Sequence, residues 1–355
     1  MKRTELGNSG LTISRIVFGS MGRGTLDLTE QLRVLHAAID AGSTSIDTAP
    51  LYEFGEVERT VGRAIKGRRD QVEVLSKVGL RWDDDHGDVL FEFNDATGAR
   101  RKVRRDSRPH AIRKDVEESL LRLGTDYLDL CQIHHPDTRV PIEDSVGQLE
   151  ELVREGKIRA VGVSNFTPPQ IEAATTALGR IATNTQIASD QLEYNLLKRG
   201  PENEIFPLLA KHRIGLLAYS PLDAGSLAGT PFNMIRSGNR PAFQPANAAI
   251  IRKALRDSVA PVARQYDESI ATICLAWLLH QEQVNGVVVG ASHPDQAIAN
   301  ARAGDVVLRN EEVQSIGRRF AQVHIDTSVG LGMGERTRKL IQRARRKLNR
   351  IIQFR

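Results

Sequence analysis

A chain of 355 residues with 40% hydrophobic and 26% charged side chains can build a sizeable core, as one large α/β domain or two smaller ones. No run reaches the roughly 18–20 apolar residues of a membrane helix, and two cysteines, Cys131 and Cys274, do not make a disulfide framework or a metal site. The net charge of +5 is concentrated in the last 21 residues, where nine cations face the single acid Glu335, so the rest of the chain carries −3 and is not a basic nucleic-acid-binding body.

At the start of the chain, residues 1–6 lack the apolar stretch of a secretory signal, and with reduced cysteines this predicts a cytoplasmic protein. Thr4-Glu5-Leu6, Asn8-Ser9-Gly10 and Leu11-Thr12-Ile13 predict a short hairpin. β-branched runs then alternate with amphipathic stretches. Strands are expected at 16–19, 44–47, 72–76, 128–134, 160–164, 188–191, 215–219 and 286–289. Helices are expected at 28–41, 56–66, 109–123, 142–155, 168–177, 202–212, 250–266 and 294–303, with Thr29 and Asp295 near helix starts as caps. Repeated strand–helix units require a parallel sheet, because each helix returns the chain to the same edge. Eight such units can close and remove both edges. The expected fold is therefore an α/β, (β/α)8 TIM barrel over residues 1–326.

Two segments stand apart from that repeat. The connection over 78–108 is far longer than an ordinary loop. Residues 89–93, a turn at 94–98 and the basic run 100–105 predict a β-hairpin overhanging the third strand end. It can be a lid, with Trp82 lining the pocket and Arg100, Arg101 or Arg105 facing an anionic substrate. Equally, its acids Asp83, Asp84, Asp85 and Asp88 can pair with its own basic half. In the extension at 327–355, Leu340, Ile341, Ala344, Leu348, Ile351 and Ile352 recur at helical spacing. That stripe is expected to pack on the protein itself, a basic helix on an anionic membrane or partner being the alternative.

In a barrel of this kind the loops at the C-terminal strand ends build the site, and here the unusual polar residues fall at those ends. They are Asp47-Thr48-Ala49-Pro50-Leu51-Tyr52 with Gly55-Glu56, Ser76-Lys77, His134-His135, Gly162-Val163-Ser164-Asn165-Phe166, Gln191, Tyr219-Ser220-Pro221-Leu222 and Gly290-Ala291-Ser292-His293-Pro294. In these segments the chain resembles the aldo-keto reductase family almost continuously from about Arg3 to Phe320. The strongest matches are Asp47-Thr48-Ala49 with Tyr52 and Gly55-Glu56, and the run 162–166. The resemblance implies a catalytic tetrad of Asp47, Tyr52, Lys77 and His134. It implies that Ser164, Asn165 and Gln191 hold a nicotinamide carboxamide under the ring of Tyr219, with Gly19, Met21 and Asp47 beside it. It also places Ser220, Pro221, Leu222, Gly225 and Leu227 over a pyrophosphate, and Gly290, Ser292, Gln296 and Asn300 at the adenosine end. Phe54, Trp82 and His135 are expected around the substrate.

The chemistry can be argued without the family. Hydride delivered to a carbonyl leaves an alkoxide, which needs a proton donor. A free tyrosine, with a pKa near ~10, is a sluggish acid; an ammonium at Lys77 is expected to lower it, and Asp47 to keep that ammonium charged. His134 and His135 are expected to point to opposite sides of their strand, with His134 matching the family. No metal is called for. No G-x-G-x-x-G run follows the first strand, so a Rossmann domain is not expected.

The family implies NADP as cofactor, with NAD the alternative, since 290–296 holds no Lys or Arg to read a 2′-phosphate and Arg302 is a helical turn further on. The expected activity is NADP(H)-dependent reduction of an aldehyde, ketone or keto-sugar. The same chemistry run as an alcohol or sugar dehydrogenase, and a cofactor-binding regulatory subunit, are the alternatives. No specific nucleic-acid partner is expected, and the oligomeric state is not readable.

Overall fold

The eight β-branched runs form one closed parallel barrel in a computed structural model that describes residues 1–22, 26–94, 98–181, 185–229 and 240–326. Strands β1 (Arg3–Glu5) and β2 (Thr12–Ser14) make the expected antiparallel hairpin. The barrel strands are β3 (Ile16–Gly19), β4 (Ser45–Asp47), β5 (Glu73–Val78), β9 (Leu128–Ile133), β10 (Ile158–Ser164), β11 (Ile187–Glu193), β12 (Gly215–Tyr219) and β13 (Val284–Val289), which returns to β3. Each is parallel to both neighbours. Every strand C-terminus therefore faces the same rim.

The barrel interior is apolar: Val17, Leu75, Leu130, Ala160, Ala188, Leu217 and Val288 form one buried cluster. Leu6 and Ile13 of the hairpin join it, so the hairpin plugs the N-terminal end of the barrel. At the bend, Gly7 has φ +60 and its Cα passes so close to the carbonyls of Ala188 and Arg213 that a Cβ there would sit 2.6 and 2.7 Å from them. Only glycine fits that approach.

Around the barrel run α1 (Leu28–Asp40), α2 (Glu56–Ile65), α3 (Pro109–Leu123), α4 (Ile142–Arg154), α5 (Pro168–Ile181), α6 (Pro201–His212) and, after β13, α10 (Pro294–Arg302). The cap of α1 is Asp27, not Thr29: its carboxylate accepts from the Glu30 N–H at 2.8 Å while Glu30 reaches back to the Asp27 N–H. Asp295 likewise stands inside α10, which follows His293 without a side-chain cap. Between β5 and α3, β6 (Leu80–Arg81), β7 (Val89–Asn94) and β8 (Arg100–Arg105) form a three-stranded antiparallel sheet, β8 in the middle.

The chain divides into two compact units, Met1–Pro221 with Leu275–Val307, and a second that comprises, of the described residues, those of 222–274 and 308–326. In the second, the helix expected over 250–266 is two, α7 (Pro245–Ala254) and α8 (Ala260–Gln265), joined by a wider turn over Leu255–Val259. Pro261 has no N–H to donate, and the Ala260 N–H bonds back five residues to Leu255. The unit closes with α11 (Asn310–Ala321), where Glu312 accepts from the Tyr266 hydroxyl at 2.8 Å. Helix α9 (Ile270–Leu279) has no counterpart in the sequence reading, because IATICLAWLL is apolar on every side and shows no amphipathic period. Among the described residues no helix is long and apolar enough to cross a membrane. The helix expected over 327–355 lies outside the described residues.

Candidate active site

Alternation along β5 sends Leu75 into the barrel core, Ser76 outward to Glu58 on α2 (2.8 Å), and Lys77 back inside at the rim. There the buried ammonium donates to both oxygens of Asp47 at 2.7 Å, to the Thr48 carbonyl at 3.0 Å and to the Tyr52 hydroxyl at 3.1 Å. Burial pulls the Lys77 pKa down, but Asp47 and Tyr52 outweigh it, and the net displacement is upward. Lys77 stays charged. Because the phenol oxygen accepts from Lys77, its own proton remains to be donated elsewhere.

The Tyr52 pKa departs from expectation. Burial raises it, Lys77 lowers it by less, and the net displacement is up. Removing water from around the phenolate costs more than one neighbouring ammonium returns, especially when that ammonium already faces Asp47. Tyr52 is a phenol at neutral pH.

His134 and His135 also depart from expectation. Strand β9 ends at Ile133, so alternation does not reach them, and their rings lie nearly parallel with centroids 5.5 Å apart. His134 meets Tyr52 edge-on at 6.0 Å. Burial, then Lys77, then His135 depress the His134 pKa far below its usual value. His135 is lowered by burial and by Arg105. Both imidazoles are neutral at neutral pH.

A network of hydroxyl and amide groups continues the rim. Gln191 donates to Asp47 at 2.8 Å, Ser164 to the Gln191 carbonyl at 2.8 Å, and Asn165 to the His134 carbonyl at 3.1 Å. The Tyr219 hydroxyl donates to the Asn165 side chain at 2.9 Å, and Tyr219 is partly exposed. Asn165 and Ser220 hold left-handed backbones at φ 62 and 52, and the Ser220 carbonyl accepts from Asn195 at 3.0 Å. Pro221 is buried beside it in sequence. At the other end of the expected cofactor track, the Ser292 N–H is taken by Gln296 at 2.7 Å, and Asn300 donates to the Gly290 carbonyl at 3.2 Å. Gly19 is partly exposed at the end of β3, and Met21 is exposed. Leu222, Gly225 and Leu227 belong to the second unit, where the Gly225 and Leu227 N–H groups both bond the Leu222 carbonyl in one tight turn.

The turn bearing Tyr52 is strained. Glu53 and Phe54 have φ 49 and 55, and Gly55 has φ +94 with Arg122 so close that a Cβ would sit 2.6 Å from its Cδ. Arg122 in turn holds the fully buried Glu58 at 2.7 Å. Outside the turn, Phe54 stacks on Phe93 of β7 at 4.5 Å and meets Trp82 edge-on at 5.3 Å. Phe54 and Trp82, both expected around the substrate, are thus in ring contact. Phe93, Glu58, Arg122 and Ser20, whose hydroxyl bonds the Asp47 carbonyl at 2.7 Å, were not anticipated. The alternating Val89, Phe91 and Phe93 were the one signal for an aromatic face on the hairpin.

The ion pairs of the inserted sheet follow the expected self-pairing only in part. Asp85 pairs with Arg104 at 3.4 Å and Glu92 with Arg100, both within the insertion. Asp83 takes Arg81 at 2.6 Å and also Lys114 of α3, Asp84 takes Arg108, and Asp88 takes Arg139 after β9. The insertion is anchored to the barrel's own loops by charge.

The aldo/keto reductase family model matches residues 15–318. The chain is 32% identical over 330 residues to aldo-keto reductase YhdN of Bacillus subtilis, covering 89% of this chain and 92% of that protein. It is 32% identical over 327 residues to the NADH-specific methylglyoxal reductase of Escherichia coli, covering 88% and 96%. Among solved structures, the glycerol dehydrogenase AKR11B4 from Gluconobacter oxydans superposes with a TM-score of 0.77 at 33% identity, over 91% of this chain and 97% of that one. The holo form of aldo-keto reductase AKR11C1 from Bacillus halodurans superposes with a TM-score of 0.74 at 31% identity, over 92% and 98%.

Proposed function

The chain belongs to the aldo/keto reductase family, oxidoreductases acting on carbonyl and alcohol groups, and from that premise we propose that it reduces an aldehyde, ketone or keto-sugar with NADPH, using Tyr52 as the proton donor. One observation carries this reading: the Tyr52 hydroxyl accepts a hydrogen bond from a buried, Asp47-held Lys77 at the open rim, so its proton points away from the pair. Lys77 stabilises the phenolate left behind, Asp47 fixes Lys77, and neutral His134 orients the carbonyl oxygen beside the phenol. A phenol that stays protonated at neutral pH suits the reductive direction.

The donor set fits a nicotinamide. One hydroxyl and two side-chain amides, at Ser164, Asn165 and Gln191, match the donor and acceptor needs of a carboxamide, and the Tyr219 ring beside them is a stacking surface. The reduced cofactor supplies hydride when bound. Gly19 and Met21 flank the same rim, while Gly290, Ser292, Gln296 and Asn300 serve the adenosine end. NADPH is the first assignment by family resemblance. NADH is the second, favoured by the absence of Lys or Arg in 290–296 and by the name of the NADH-specific relative. A ratio of Kd values for the two reduced cofactors decides between them.

The oxidative direction is the second reading for the reaction itself, since a similar structure is a glycerol dehydrogenase. The test is NADPH and NADH consumption against a carbonyl panel, in wild type and Tyr52→Phe. Loss of turnover in Tyr52→Phe with cofactor binding intact supports the proton-donor role, and equal turnover in both proteins would remove it.

A further inference from the structure

Among the described residues, Arg105 of the inserted sheet is an inward-facing cation with no ion pair. Alternation along β8 puts Arg105 on the same face as Val103, which is fully buried, and opposite to Arg104. Arg104 is spent on the Gly87 carbonyl at 2.9 Å and on Asp85. Arg105 is half-buried, and among the described residues its guanidinium has no carboxylate within ion-pair distance. The nearby acids are engaged elsewhere: Asp106 by Arg108 at 2.6 Å, Asp137 by the N–H groups of Ser107 and Arg139, and Asp88 by Arg139.

Backbone hydrogen bonds fix where this cation stands. The His134 N–H bonds the Val78 carbonyl at 2.9 Å, the Asp106 N–H bonds the Gly79 carbonyl at 3.0 Å, and Arg105 lies opposite Leu80 in the β6–β8 register. Arg105 is therefore one strand away from the segment that follows Lys77, whose Val78 carbonyl in turn bonds the His134 N–H. Its charge reaches His135 strongly enough to help keep that imidazole neutral. Lys77 has already committed its ammonium to Asp47, Thr48 and Tyr52. A partly buried guanidinium close to the neutral imidazole of His135 is costly until an anion meets it.

Resting on the reading of the chain as a carbonyl reductase, we propose that Arg105 binds an anionic group of the substrate, so that the preferred carbonyls carry a carboxylate or a phosphate. The planar guanidinium suits either group, as both accept two parallel N–H bonds. Phe54 and Trp82, on the same rim, offer apolar surface to the rest of the molecule.

The test uses the full-length protein and matched pairs: 4-carboxybenzaldehyde against its methyl ester, and glyceraldehyde 3-phosphate against glyceraldehyde. Wild type is expected to favour the anionic member, and Arg105→Gln to reduce the anionic-to-neutral ratio of kcat/KM by about 10- to 100-fold, mainly through KM, with Arg105→Lys recovering part of it. The pair that responds identifies carboxylate or phosphate as the recognised group. An unchanged ratio in both pairs, or a wild type that prefers the neutral members, overturns the proposal. Should no carbonyl be turned over, the reductase reading falls instead. Calorimetric binding of 4-(hydroxymethyl)benzoate against its methyl ester then decides the Arg105 proposal, an equal Kd for both in wild type overturning it and a preference for the anion lost in Arg105→Gln sustaining it.

Discussion

The two ends of the barrel both bury charged groups, yet they are put together differently. At the N-terminal end, Asp129 accepts from Arg69 at 2.7 Å, from Arg159 at 2.9 Å and from the Val74 N–H at 2.9 Å. The two guanidiniums lie on the Tyr127 ring, each 3.9 Å from its centroid. Both carboxylate oxygens of Asp129 are thus met by a guanidinium. At the C-terminal rim, Lys77 and Asp47 are equally enclosed, but Lys77 ends on Tyr52, whose ring meets His134, and both of these keep partial exposure. Glu53, Phe54, Asn165 and Ser220, each with a left-handed backbone, stand on that rim, while at the N-terminal end Arg213, just before β12, has φ 54. Burial of charge alone therefore does not mark a reactive site. What sets the rim apart is an enclosed pair whose ammonium also reaches a partly exposed phenol.

The comparison breaks most easily at Tyr52 and Lys77. Tyr52→Phe is expected to lower kcat by about 10²–10⁴-fold with little change in Tm. Lys77→Met should match that loss and also destabilise the fold by about 3–5 kcal/mol, because Asp47 is left buried without its partner. Chemical denaturation alongside steady-state kinetics separates the two effects. If Tyr52→Phe kept its turnover, the contrast between the two ends would lose its functional meaning.

At the opposite end the expected pattern reverses. Asp129→Ala should cost roughly 3 kcal/mol of stability while kcat per folded molecule stays at the wild-type value; a matching loss of kcat would show that the two ends are coupled. Phe93→Ala is expected to remove about 1 kcal/mol of aromatic stacking, to loosen the strained turn and to lower kcat/KM several-fold, read on a small neutral aldehyde.

The smallest effect is a pH dependence of stability. His134 titrates below its unfolded value, so at pH between the folded and unfolded pKa values the unfolded chain binds the extra proton. Its contribution to stability is complete above an unfolded pKa of ~6.5 and declines as pH falls below it. Replacing His134 with Gln should flatten the Tm profile between about pH 7 and 5; an unchanged slope would assign the effect to other groups.

The strand–helix alternation, the hairpin, the rim residues Asp47, Tyr52, Lys77 and His134, and the inserted hairpin were legible in the amino-acid sequence, because period and strand-end position are local properties. Helix α9 was not, since a segment apolar on every side carries no phase. The break at Pro261 was missed because a wider turn absorbs the lost N–H without ending the helical stretch. The sequence by itself determined which residue types reach the rim. Only the tertiary structure decided that burial outweighs Lys77 at Tyr52, that His134 and His135 stack instead of diverging, and that Phe93 meets Phe54. It also decided that Arg105 is half-buried with, among the described residues, no carboxylate within ion-pair distance. Each of these depends on the distance and solvent exclusion between residues far apart in the chain, and no local pattern encodes those quantities.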